Sequence, residues 1–269
     1  MNSERFPTLY LPHGGGPCFF MDWSPIGPRD TWDRMGEWLR GVLPALGRRP
    51  KAILVISAHW ETPTFRLTGG EHPPLIYDYY GFPEHTYRLQ YPAPGAPALA
   101  HRAAALLRDA GLPADEDAER GFDHGVFIPF MLVDPAAAIP VVQLSLRAGL
   151  DPAVHLAAGR ALAPLRDEGV LIAGSGMSFH NMRGQGAGPG GASDQFDAWL
   201  RASVALPRAE REQALAHWRR APGAALSHPR EEHLLPLMVA AGAAGEDSGR
   251  VVFSDRVMGA TVSAIEFGN

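Results

Sequence analysis

Histidines at the ends of predicted strands are the residues of this sequence best suited to chemistry. His13 directly follows the short apolar run 7–12, and His59 closely follows the apolar run 53–56. His180 repeats the arrangement, since it comes after the apolar run 170–173 and a Gly-Ser-Gly turn. In an open α/β sheet, ligands bind in the crevice at the carboxyl ends of the strands. The three imidazoles are therefore expected at the functional edge of such a sheet.

Two further histidines occupy comparable places. His124 lies in a turn-like stretch between Gly121 and Gly125, ahead of an apolar segment, and His233 lies just ahead of an apolar helix. Neutral imidazole is the commonest metal-ligating side chain near neutral pH, and three of them leave a divalent ion with open positions. The pattern indicates a mononuclear metal site, but spacing alone is equally compatible with histidines that only form structural hydrogen bonds.

The composition excludes several classes of protein. The chain has 269 residues, a formal net charge of −5, 46% hydrophobic residues and dispersed arginines, which argues against a nucleic-acid partner. No apolar run approaches the roughly 20 residues of a membrane span, so a soluble protein is expected. Cys18 is the only cysteine, which excludes an intrachain disulfide and a thiolate cluster. With no signal-peptide pattern at the N-terminus, we expect a cytoplasmic location.

Strands and helices alternate along the sequence, and nothing in it separates two domains. We predict strands at 7–12, 52–60, 139–146 and 170–173, helices at 31–46, 97–110 and 151–169, and two final strands within 250–268. The segment 75–95 is too rich in Pro, Gly and Tyr to be one regular element, and long loops inside compact domains tend to be functional. It is predicted to form a wall or lid of the pocket.

Eight short motifs occur along the chain in the order HGGGP, SAHW, YDYYGFP, YPAPG, GFDHGVFIPF, IPVVQLSL, SGMSFHNMR and EEHLLPL. In this order and at these separations they resemble the class III extradiol ring-cleavage dioxygenases, and within them the 4,5-DOPA dioxygenase branch of the protocatechuate 4,5-dioxygenase (LigB-like) type. The resemblance extends from about Thr8 to Phe267.

The resemblance implies a role for each of the five histidines. His13, His59 and His233 are the implied metal ligands, and His180 lies over the open side of the metal as acid/base catalyst or additional ligand. His124 is implied to lie close by as a second catalytic residue. The implied fold is a single α/β domain, residues 1–269, with a central, mostly parallel mixed sheet flanked by helices and the metal site at the carboxyl ends of the strands.

Two departures from the family pattern concern the metal and the substrate. The protocatechuate branch uses two His and one Glu, the facial set expected for non-haem Fe(II) oxygenases, whereas the third position here is His233. Three neutral histidines suit one divalent ion, either Fe(II) for activity or Zn(II) as isolated, and Glu231 or Glu232 could supply negative charge from outside the ligand set. The motif HGGGP replaces the His-Gly-Ser-Pro of many relatives, which removes a hydroxyl from the mouth of the site.

The implied activity is extradiol opening of the ring of a catechol-type aromatic, DOPA-like or another dihydroxyphenyl compound, with O2. Tyr77, Asp78, Tyr79 and Tyr80 are candidate pocket residues, although core packing is the competing role for the tyrosines. Two other functions are compatible with the same residues: a zinc-dependent hydrolase that uses the three-histidine site, and a non-catalytic binding protein that keeps the fold. The expected partners are a small aromatic diol and O2, with neither nucleic acid nor membrane, and an oligomer is compatible with the sequence.

Overall fold

Eight strands form one mixed sheet in the computed structural model, which describes residues 5–183 and 186–268. The strands are β1 (Thr8–Pro12), β2 (Ala52–Thr62), β3 (Phe65–Thr68), β4 (Ala114–Asp117), β5 (Val141–Arg147), β6 (Val170–Gly176), β7 (Gly249–Val257) and β8 (Ala260–Phe267). Their order in the sheet is β4-β3-β5-β2-β6-β1-β8-β7. The centre, β5-β2-β6-β1, is parallel, while β8 and β7 continue it as an antiparallel edge.

Helices cover both faces of the sheet. They are α1 (Asp33–Ala45), α2 (Pro97–Asp109), α3 (His124–Val133), α4 (Pro152–Leu162), α5 (Ala192–Val204), α6 (Arg208–Ala216), α7 (Ala224–Ser227) and α8 (Leu235–Ala244). Successive residues of a strand point to opposite faces, so Leu54 and Ile56 join the core shared with α2, α4 and α8, whereas Ile53 and Val55 join the core shared with α1 and α3. The predicted single α/β domain with a flanked mixed sheet is confirmed.

The predicted elements are present, with three differences. β2 continues through His59 to Thr62, and β6 continues to Gly176, so the predicted Gly-Ser-Gly turn belongs to the strand. The short strands β3 and β4 were not predicted. The segment 75–95 is irregular as expected, apart from a short 3-10 helix at Glu84–Arg88. Residues 1–4, 184–185 and 269 of the predicted domain lie outside the described residues.

The carboxyl ends of the central strands lie side by side. Pro12 at the end of β1 pairs with Gly176 at the end of β6, and Ser57 of β2 pairs with Ser175. The pairing of β2 with β5 shifts register between Ile56 and Glu61, an irregularity of the kind that redirects a side chain beside an active site. His59 lies within this irregular stretch.

Two glycines of β6 let the segment before α8 approach the strand directly. A Cβ atom at Gly174 would lie 2.4 Å from the Pro236 carbonyl oxygen, and one at Gly176 would lie 2.1 Å from the His233 carbonyl oxygen. Both distances are far below van der Waals contact, so only glycine permits this packing. The close approach brings His233, distant in sequence, to the edge where β1 and β6 end.

Among the described residues, no helix has the length and apolar character needed to cross a membrane.

His155 on α4 gives the fold a predicted dependence on pH. Its Nδ1–H donates to the Asp151 carbonyl oxygen (2.8 Å) and its Nε2 accepts from the Arg147 N–H (3.1 Å), which requires the neutral ring. Burial lowers its pKa to about 4. An unfolded chain instead takes up the proton near the ordinary value of about 6.5. The stability contribution is therefore fully present above about pH 6.5 and is lost as pH falls toward the folded-state pKa.

Between pH 7 and pH 5, proton uptake by His155 in the unfolded chain is expected to lower the free energy of unfolding by about 2 kcal/mol. Urea titrations at the two pH values measure this loss. His155→Gln should be less stable at pH 7, yet its stability should change less between the two pH values, by about the same 2 kcal/mol. The exposed His72 provides the control, since His72→Gln should keep the wild-type pH dependence. An unchanged pH dependence in His155→Gln would contradict the prediction.

Candidate metal centre

All five histidines singled out in the sequence converge on the predicted edge of the sheet. The rings of His13, His59 and His233 are nearly equidistant, with centroid separations of 4.9, 5.1 and 4.8 Å. His124 lies against His59 at 3.9 Å, and His180 stacks on His233 at 3.4 Å. The structure thus brings together every histidine that was predicted for the site.

Each ring comes from a different element. His13 follows β1, His59 lies inside β2, and His124 is the first residue of α3. His180 follows β6 and is held by its N–H, which donates to the Ser227 carbonyl oxygen at 2.9 Å. The segment of His233 is held by its carbonyl oxygen, which accepts from the buried Tyr10 hydroxyl at 2.6 Å. Rigid strands and helix ends therefore position the cluster.

Hydrogen bonds determine which nitrogen of His13 holds the proton. The Ser175 hydroxyl donates to the Gly125 carbonyl oxygen and lies 3.1 Å from Nδ1 of His13. Because the hydroxyl proton is already used, Ser175 Oγ accepts from Nδ1–H. Nε2 of His13 is left with a lone pair, 3.1 Å from Nε2 of His59.

Two carboxylates indicate the same tautomer for His124, His180 and His233. Asp78 Oδ1 lies 2.8 Å from Nδ1 of His124, and Glu232 Oε1 lies 3.0 Å from Nδ1 of His233 and 3.2 Å from Nδ1 of His180. An ionised carboxylate only accepts, so each Nδ1 is the donor and each Nε2 has a lone pair. Such outer partners are the usual means by which proteins orient metal-binding histidines.

Burial favours the neutral form of His13, His59 and His233. It is the largest cause that lowers the pKa of His13 and of His59 well below the ordinary value, with charges on neighbouring histidines adding to it. The pKa of His233 falls to about 4, chiefly through burial, although the Glu232 hydrogen bond acts the other way. Since a metal binds only the neutral ring, these side chains are ready to bind one at neutral pH.

The carboxylates stay ionised in spite of their burial. Burial acts to raise the pKa of Asp78, but the hydrogen bond and charge of His124 outweigh it and the pKa is lowered. For Glu232 burial also acts upward, and the hydrogen bonds from His180 and His233 bring its pKa well below the usual range. Asp78 and Glu232 thus add two negative charges beside the histidine cluster.

This donor set fits a divalent transition metal. At metal–nitrogen bond lengths of about 2.0–2.1 Å, two adjacent ligand atoms lie roughly 3.0–3.4 Å apart, and the Nε2 atoms of His13 and His59 are separated by 3.1 Å. One donor atom from each of His13, His59 and His124 lies within 4.8 Å of the others, and the same holds for His180, Glu232 and His233. Imidazole donors suit Zn, Cu, Fe and Ni in preference to Ca or Mg.

Only one of the two glutamates that were candidates to supply negative charge contacts the histidine cluster. Glu232 contacts His180 and His233, whereas Glu231 pairs with Arg219 at 2.5 Å. Both glutamates stand close to His233 in the sequence, and the sequence alone does not show which of the two contacts the cluster.

The four candidate pocket residues have different environments. Asp78 contacts His124 and lies 3.8 Å from Nδ1 of His59. The buried ring of Tyr79 lies edge-on to His124, and its hydroxyl donates to the Thr86 carbonyl oxygen. Tyr77 donates to the Leu89 carbonyl oxygen, while Tyr80 is 86% exposed. Asp78 and Tyr79 belong to the wall of the cluster, and Ser175 is a contact that the sequence analysis missed.

Comparisons with known proteins agree with this fold and site. The family described as the catalytic LigB subunit of aromatic ring-opening dioxygenase matches residues 8–266. The 4,5-DOPA dioxygenase extradiol of Beta vulgaris is 46% identical over 90% of this chain and 88% of its own length. The protein of the same name from Escherichia coli (strain K12) is 37% identical, with 90% and 87% covered.

Further relatives extend the comparison. The dioxygenase tasH of Hapsidospora irregularis is 41% identical, with 97% of this chain and 85% of that protein covered. The crystal structure of an uncharacterized protein from Escherichia coli K12 superimposes with a TM-score of 0.77 at 32% identity, over 98% of this chain and all of that one.

Fold, histidine cluster and family match define a metal-dependent, aromatic ring-opening dioxygenase. The chain belongs to the LigB family, and within it to the group whose relatives are named 4,5-DOPA dioxygenase extradiol.

Proposed function

We propose that this enzyme opens the ring of a DOPA-like or other catechol-type substrate in the extradiol position, with O2, at a mononuclear metal held by His13, His59 and His233. The observation that supports it most is the cluster of five histidines, in which hydrogen bonds to His13, His124 and His233 and a 3.2 Å carboxylate contact to His180 leave the Nε2 lone pairs free. The relatives named 4,5-DOPA dioxygenase suggest the substrate class.

Ring spacing supports His233 as the third ligand. The separations among His13, His59 and His233 span only 4.8 to 5.1 Å, as expected for three ligands around one point. His124 is the competing third ligand, because its donor atom also lies near those of His13 and His59. Its ring is less evenly placed, 3.9 Å from His59 and 5.6 Å from His13.

His13, His59 and His233 would hold the metal, and Fe(II), unlike Zn(II), would supply the redox chemistry that a reaction with O2 needs. The protein's own residues move the protons. His180 has a free Nε2 and takes the second phenolic proton there, then returns it later in the reaction. The carboxylate of Glu232 holds the opposite edge of that ring. His124, whose Nδ1–H is held by Asp78, accepts a hydrogen bond from a substrate hydroxyl at its free Nε2.

The experiment that tests the proposal is anaerobic reconstitution with Fe(II) followed by admission of air. Oxygen uptake and product absorbance are recorded with DOPA, protocatechuate and gallate, with the Zn(II)-loaded protein as a matched control. We expect uptake only with Fe(II) and a catechol, and its removal by a chelator. Absence of uptake with every catechol would contradict the proposal, and O2-independent hydrolysis by the zinc form would support a zinc hydrolase instead.

A further inference from the structure

Asp78 is the residue of the irregular segment 75–95 that reaches the histidine cluster most directly. Its Oδ1 accepts from the backbone N–H of His124 at 2.9 Å and from Nδ1–H of the same residue at 2.8 Å. Its Oδ2 lies 3.8 Å from Nδ1 of His59, beyond hydrogen-bond distance. Asp78 thus makes its close contacts with His124 and not with a proposed metal ligand.

The hydrogen bond from the His124 backbone N–H to Asp78 takes the place of the usual side-chain cap at the start of α3. A helix leaves its first N–H groups without partners inside the helix, and the residue before α3, Asp123, does not cap them with its side chain. The Asp123 carboxylate instead accepts from the Ser57 hydroxyl at 2.7 Å and from Gln143. Asp78, from a separate segment, accepts the His124 N–H, so one carboxylate holds both the start of the helix and the ring at that position.

The segment that contains Asp78 is itself attached to the chain just before α3. Leu75 forms a parallel bridge with Phe122, and the Ile76 N–H donates to the Phe122 carbonyl oxygen at 2.8 Å. The Asp78 N–H then donates to the Ile76 carbonyl oxygen at 3.0 Å. Backbone hydrogen bonds therefore hold the Asp78 carboxylate against His124.

We propose that Asp78 is a positioning residue that fixes the ring of His124 in the Nδ1–H tautomer, leaving Nε2 as the nitrogen available to the substrate. The inference rests on the proposed function for the part played by His124. The tautomer itself depends only on the contact between Asp78 and His124, so it is tested separately from catalysis.

The test compares Asp78→Asn with Asp78→Ala. The Oδ1 atom of asparagine can accept both N–H groups, so Asp78→Asn should keep kcat within about fivefold of wild type. Alanine removes the acceptor, and kcat should fall about 10–100-fold, the order of loss that follows when a catalytic group is no longer held in place. Metal content should remain one per chain in both variants, because Asp78 does not hydrogen-bond a proposed ligand.

Long-range ¹H–¹⁵N spectra of the zinc-loaded, histidine-labelled protein give a readout that needs no activity. His124 is assigned by its loss in His124→Gln. We expect the Nδ1–H pattern in the wild type and in Asp78→Asn, and a changed or mixed pattern in Asp78→Ala. The same tautomer in all three proteins would overturn the proposal, as would equal loss of kcat in the Asn and Ala variants.

Asp134 supplies the matched control at the other end of α3. It is also a buried acid, and it accepts from the N–H groups of Ala138 and Ile139 at 2.9 and 2.8 Å. Asp134→Ala should lower the unfolding temperature yet leave kcat and the His124 spectrum unchanged. A loss of kcat in this variant as large as in Asp78→Ala would mean that general destabilisation explains both. If the wild type opens no ring, the proposed function fails while the spectra still test Asp78.

Discussion

Replacing His180 with alanine is expected to slow ring opening strongly while the metal stays bound. A positioned acid or base contributes about 10²–10⁴-fold to a rate, so kcat should fall by roughly that factor. The ring has a proton-accepting Nε2 because its Nδ1 faces Glu232 at 3.2 Å. Its removal takes away the proposed acceptor of the second phenolic proton but none of the three proposed ligands. Metal analysis and oxygen uptake on the same samples check the prediction.

The stacking of His180 on His233 at 3.4 Å calls for two control variants. His180→Asn places an amide N–H near the position of Nδ1 and can keep the Glu232 contact, whereas His180→Phe keeps an aromatic ring against His233. Both should retain metal and both should lose turnover, since neither side chain titrates. Loss of metal in both variants would show that His180 is a ligand, and near-normal kcat in either would contradict its proposed role in proton transfer.

His13, His59 and His180 stood out in the sequence because each follows a predicted strand, whereas the roles of the five histidines came from the family resemblance. His13 and His59 are close in the fold since β1 and β2 both pair with β6, and apolar runs followed by histidine mark each of them. His124 differs, because the apolar segment after it is a buried helix and not a strand. A short apolar run does not distinguish the two structures by periodicity alone.

The residues that orient the cluster left weaker signals. Asp78 lies in an irregular segment 46 residues before His124, and its contact with that residue depends on the bridge between Leu75 and Phe122. The strands β3 and β4 were missed because both are only four residues long, and β4 is mostly acidic. Such features arise from tertiary pairing, which local sequence patterns do not encode.

The identity of the third ligand is decided by removing one histidine at a time. A four-ligand zinc site is worth about 10–16 kcal/mol, so one imidazole accounts for roughly a quarter of that. His13→Ala, His59→Ala and His233→Ala should each weaken zinc binding about 10²–10³-fold. Competition with a chromophoric chelator at pH 7.5 measures the affinities, and His72→Ala, at an exposed site, should bind zinc as the wild type does.

His124→Ala is the variant that discriminates between the two arrangements. In the wild type, Nδ1 of His124 contacts Asp78 at 2.8 Å and the ring lies 5.6 Å from His13. Because His124 contributes no ligand atom in the proposed set, the zinc affinity of His124→Ala should stay within about fivefold of wild type. If His124→Ala instead loses zinc as strongly as His13→Ala while His233→Ala retains it, the ligands are His13, His59 and His124. In that case Asp78 would be the outer partner of a ligand, and the division of the five histidines into three ligands and two proton-handling residues would be wrong.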